Sequence, residues 1–127
     1  MPLEVMVALA NRLAADPWFT LPHLAEDALV RPCAAAARDG LDGLDGLDPE
    51  LREHVECSNE VWNLRFAQAH WAGVQAQARW RQPDACVHFY ALRAAQVVAI
   101  WAQVYGAAAP DCLVRVIATQ TGWLGLE

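Results

Sequence analysis

The sequence predicts an all-α fold, a compact bundle of about five helices in a single domain spanning residues 1–127. Three observations carry that expectation. Apolar residues recur at helical spacing through most of the chain. Proline and glycine fall where helices start and stop. Only one segment, "CLVRVIAT" near the C-terminus, is rich in β-branched residues, and one isolated strand has nothing to pair with.

The first helix starts at Pro2, which suits a first turn, and carries Leu3, Met6, Leu9, Ala10 and Leu13 until Asp16-Pro17 stops it. A second begins near Pro22 and is stopped or bent at Pro32, leaving "CAAAARDG" as a further turn or two closed by Gly40. Three copies of Gly-Leu-Asp follow. Then Asp48-Pro49-Glu50 combines a capping aspartate, a first-turn proline and a dipole-favoured acid, so a third helix is expected from there to Gln82, either continuous or joined near Ser58-Asn59. A fourth runs from Asp84 to Gly106, where glycine suits a left-handed cap, and a last one from Pro110-Asp111 to Gly122.

Within the third helix the residues from Asn59 to Arg81 form two apolar faces. One holds Trp62, Phe66, Ala69, Gly73, Ala76 and Trp80; the other holds Leu64, Ala67, Trp71, Val74 and Ala78. A narrow polar stripe between them, Asn63, His70, Gln77 and Arg81, is the candidate polar groove. The fourth helix is apolar nearly all round, which fits the centre of a bundle or a homodimer interface. Burial is expected at Trp62, Phe66, Trp71, Trp80, Val98 and Trp101.

Composition supports association. Hydrophobic residues make up 56% of the chain and charged residues 19%, and six tryptophans add contact area beyond what a small monomer buries. Nine arginines without lysine, beside abundant alanine, fit the coding of a GC-rich bacterial genome. The start "MPLEVMVALANRLAADPW" has no basic residue ahead of its apolar run, unlike a secretory signal. The longest uncharged stretch, Ala94 to Pro110, is 17 residues, short of the ~20 a membrane span needs. A cytoplasmic protein with no membrane partner is expected. Cys33, Cys57, Cys86 and Cys112 are widely separated and read as reduced, packed thiols.

Charge is distributed unevenly. Residues 39–60 carry −7; residues 1–60 carry −8 and residues 61–127 carry +2. An acidic arm of Asp39, Asp42, Asp45, Asp48, Glu53 and Glu56 therefore presents itself to a basic protein partner, and it repels a phosphate backbone, so nucleic acid is not expected. The alternative for the repeat itself is a flexible, solvated linker over residues 39–48, lengthened by duplication. A calcium loop needs acids at alternate positions, whereas these recur at every third. His54 and Cys57 share a face only if that segment is helical, and Cys86 and His88 do not, so no metal and no cofactor is expected.

Two resemblances bear on catalysis. Glu53-x-x-Glu56 is similar to the paired carboxylates of all-helical nucleotide pyrophosphohydrolases, but the second acidic pair that holds magnesium there is missing between Val61 and Gln82. Arg65-Phe-Ala-Gln-Ala-His70 resembles the Arg-x4-to-6-His signature of the HEPN helical ribonucleases. That resemblance implies Arg65 on a scissile phosphate and His70 assisting proton transfer across a dimer. The leading expectation is a non-catalytic helical protein acting through protein–protein contact by its acidic arm and aromatic helical face. A small ribonuclease of the HEPN type is the alternative.

Overall fold

The computed structural model describes residues 1–123 and 126. Its elements alternate: α1 Leu3–Leu13, β1 Trp18–Leu21, α2 Asp27–Asp39, β2 Glu53–Cys57, α3 Ala67–Trp80, α4 Cys86–Tyr105, a short helix α5 Ala109–Cys112 after one 3₁₀ turn, and β3 Leu113–Val116. The three strands form a parallel sheet in the order β1-β2-β3. The fold is therefore mixed α/β, and the expected all-α bundle of about five helices is overturned.

Two local signals were turned to other uses. Asp48-Pro49-Glu50 builds a turn instead of a helix start: the Asp48 carboxylate accepts the Glu50 N–H at 2.9 Å and the Asp48 carbonyl accepts the Leu51 N–H at 2.9 Å. An Asx turn and a helix cap share their first hydrogen bonds, so the same residues serve both. The chain then reaches Asp16, whose carboxylate takes the Arg52 N–H at 2.8 Å, and the His54 N–H bonds the Pro17 carbonyl at 2.9 Å, which starts the β1–β2 ladder. The second signal is "LVRV". It becomes a strand because β2 supplies the partner that a sequence-based view lacks, with Glu53 paired to Leu113 and Val55 to Arg115.

The helices follow helical periodicity where they bury one face. α1 turns Val7 and Ala10 inward and closes at Ala14 in a left-handed conformation. α2 runs through Pro32, which is exposed, because Val30, Ala34 and Ala37 bury the opposite face completely; that burial outweighs a proline cost of roughly 3 kcal/mol. α3 packs on α4 through small residues, Ala69, Ala72 and Ala76, with Gly73 close to the Pro83 carbonyl. α4 crosses the sheet at β2 and lays Tyr90, Ala94, Val97, Val98 and Trp101 into the core. Of the six side chains expected to be buried, Val98 and Trp101 are. Trp62 and Trp71 are half-buried, while Phe66 and Trp80 are 41% and 37% exposed, because α3 uses its alanines against α4.

Successive parallel strands in the order 1-2-3 with right-handed crossovers place both connecting helical segments on the same side of a sheet. The packing agrees with that topology. Phe19, Leu21, Val55, Cys57 and Leu113 point into the core shared with α1, α2 and α4, whereas the alternate strand residues do not belong to it. One face of the sheet is covered. The other is bare.

Candidate functional site

The strand register arranges the bare face as two rows of three. Trp18, His54 and Val114 form one row, and Thr20, Glu56 and Val116 the next. Parallel sheets are ordinarily covered on both faces, so an uncovered one calls for a partner. Trp18 is 52% exposed, Thr20 is exposed, and His54, Val114 and Val116 are half-buried.

The side chains on this face are tied together. Trp18 donates its indole Nε1–H to Glu56 Oε2 at 2.9 Å, and the Thr20 hydroxyl donates to the same oxygen at 3.3 Å. The Trp18 and His54 rings stack with centroids 5.3 Å apart and planes 9° from parallel. Glu56 is only 7% exposed, yet neither ion pair among the described residues includes it. Its Oε1 takes no protein donor there and, unlike an oxygen of Glu53, is not sealed from solvent.

Glu53 occupies the other face. It is fully buried, accepts the Trp101 Nε1–H at 2.5 Å on Oε2, and has no partner for Oε1 among the described residues. Burial pushes its carboxyl up to about 7, against a smaller downward pull from the Trp101 hydrogen bond. Glu53 and Glu56 thus do not extend an exposed acidic arm. Strand alternation sends them to opposite faces, one into the core and one under Trp18.

The Gly-Leu-Asp stretch holds a hydrogen-bonded structure. Leu41 and Leu44 exchange backbone bonds at 3.2 and 3.0 Å around Asp42 and Gly43, whose φ values of 52° and 82° are those of an Asp-Gly hairpin turn. Asn11 clamps the end of the repeat from α1. Its Nδ2–H donates to the Gly46 carbonyl at 2.9 Å, and its Oδ1 accepts the Asp48 N–H at 2.9 Å. Gly46 lies so close to Arg38 that an added Cβ would sit 2.1 Å from that carbonyl oxygen. Asp39 pairs with Arg38, which holds its carboxyl below the usual carboxylate range, and Asp42, Asp45 and Asp48 are exposed.

The Arg-x4-His pair does not share a helix. Arg65 lies in the turn before α3 and His70 in the first turn of α3, both exposed. Each lines one of two neighbouring cavities near the C-terminal end of β2, of about 400 and 560 Å³, which share Trp62, Leu64 and Trp123 as walls. Asn63 lies with Arg65 in the smaller one, and Gln77 with His70 in the larger. Arg81, the remaining member of the candidate groove, caps α3 in a left-handed conformation and lines neither.

Sequence reasoning missed Trp18 and Thr20 and weighed His54 only as a metal ligand. The signal was short but present: "HVEC" alternates in polarity, as half-buried strands do, and "WFTL" after Pro17 holds Trp, Phe and Thr, which favour strands. Among the described residues no group of three or more His, Cys, Asp or Glu side chains could hold a metal ion, and no helix is long and apolar enough to cross a membrane. Comparison with protein-family models, curated proteins and solved structures finds no match for the chain.

Proposed function

We propose that this chain is a non-catalytic protein-interaction module whose binding surface is the bare face of the β1–β2–β3 sheet. The observation that carries this reading is the in-register set Trp18, Thr20, His54, Glu56, Val114 and Val116 on a parallel sheet with no second layer of helices among the described residues. The exposed Asp42, Asp45 and Asp48 and the net charge of −6 favour a basic partner by steering its approach.

The size of the face favours a slender partner segment. Strands of four or five residues at ~3.3 Å per residue and ~4.8 Å spacing span on the order of 200 Å². A standard stable interface takes ~800 Å² from each partner, so flat pairing of two such faces is too small. One strand or helix of another protein, continuing onto adjacent surfaces, fits better.

The test compares proteins captured by the wild-type chain with those captured by Trp18→Ala, Thr20→Arg and, as a control in the strand-end cavity, Leu64→Asp. Circular dichroism and thermal melting establish that each variant is folded. A partner lost with Trp18→Ala and Thr20→Arg but kept with Leu64→Asp supports the reading. A partner indifferent to both changes on the sheet refutes it.

A further inference from the structure

We infer that the bare face receives an arginine side chain from its protein partner, with the guanidinium lying over the Trp18–His54 stack and hydrogen-bonding Glu56 Oε1. This rests on the bare face being a docking surface and specifies what it docks. Glu56 is the reason. It is a buried residue whose carboxylate meets no cation in either ion pair among the described residues; Trp18 and Thr20 supply only neutral donors, both on Oε2, and leave Oε1 open. The missing positive charge has to approach from the open side, because the covered side of β2 belongs to the core.

Geometry selects guanidinium over ammonium. The Trp18 and His54 rings stack on each other and leave an outer ring face, and the Trp18 Nε1 bond to Glu56 sets the carboxylate at the indole edge, 2.9 Å from the indole nitrogen. A planar guanidinium stacks on such a surface and still presents in-plane N–H groups to an oxygen at its edge; a compact, strongly hydrated ammonium does only the second. The indole is already held by Glu56, so little rotamer freedom is lost on binding. Val114 and Val116 complete the rows on the β3 side and suit apolar side chains flanking the arginine.

The probes are short peptides alternating threonine and valine around one central arginine, lysine or citrulline, titrated against the full chain with the Trp18 indole N–H resonance and tryptophan fluorescence as readouts. The arginine peptide is expected to shift the Trp18 resonance and to bind about tenfold more tightly than the citrulline peptide, with lysine between them. Glu56→Gln, which keeps the size of the side chain, should erase most of that preference. Trp18→Leu should weaken the arginine peptide with less effect on the citrulline one. Equal binding of arginine and citrulline, or an unaltered preference in Glu56→Gln, overturns the arginine assignment. Absence of any peptide binding also overturns it, while the docking reading stands if partner capture still depends on Trp18 and falls if it does not.

Discussion

Trp101 of α4 donates its indole N–H to Glu53 of β2 at 2.5 Å, so the largest fully buried side chain and a fully buried carboxyl are one unit at the centre of the core. The contact joins the helical layer to the middle strand. It also makes the core sensitive to pH.

Burial raises the folded-state value of Glu53 from an ordinary 4.5 to about 7. The folded state therefore binds the proton more tightly than the unfolded chain. The stability linked to this proton is fully present below about pH 4.5 and is lost as pH rises through about 7. Glu53→Gln keeps an acceptor for Trp101 and cannot ionise. Urea unfolding at pH 8 should show the variant more stable than wild type by roughly 3 kcal/mol, with the difference shrinking toward zero at pH 4.5. A difference independent of pH would contradict this account.

Trp101→Phe removes the donor but keeps an aromatic ring. Since the hydrogen bond is the force lowering the Glu53 value, its loss should push that value further up, measurable by carbon-detected NMR titration of the Glu53 carboxyl. The unfilled volume and the lost bond should together destabilise the protein by about 2–4 kcal/mol.

The Gly-Leu-Asp stretch should behave as structure. Asn11→Ala deletes both arms of the clamp on Gly46 and Asp48 and should cost about 1–2 kcal/mol, with faster hydrogen exchange at the Asp48 amide. Removing one Gly-Leu-Asp unit should cost more than ~1 kcal/mol, because it breaks the Leu41–Leu44 turn or the approach of Gly46 to Arg38, whereas a solvated linker would lose well under ~1 kcal/mol. Denaturant titration of the deletion variant decides between them.

Burial also pushes the Cys57 thiol up to about 11. The thiolate is the reactive form, so Cys57 should resist alkylation by iodoacetamide at pH 8 in the folded protein and react after unfolding. The half-buried Cys33 and Cys112 should react before it; mass spectrometry of the digested protein reads the order directly. Rapid labelling of Cys57 in folded protein would mean that β2 is not the covered central strand.

Local patterning was sufficient for α1 and α4. Leu3 to Leu13 with its stop before Asp16-Pro17, and the apolar helix closed by Gly106, are found where period and breakers put them, because each buries a face its own spacing defines. "EHVEC" and "LVRV" depended on the rest of the chain. Glu, His and Cys have little strand preference of their own, and β2 is a strand because Trp18–Leu21 and Leu113–Val116, more than 30 and more than 55 residues away, hydrogen-bond to its two edges. The candidate site inherits that dependence: Trp18 and Thr20 meet Glu56 only through the β1–β2 register, and Glu53 and Glu56, read as one acidic arm in the sequence, are parted by the alternation of a strand. Helical periodicity is a property of neighbours in sequence. Sheet pairing, and the bare face it leaves, arises between segments that only the folded chain brings together.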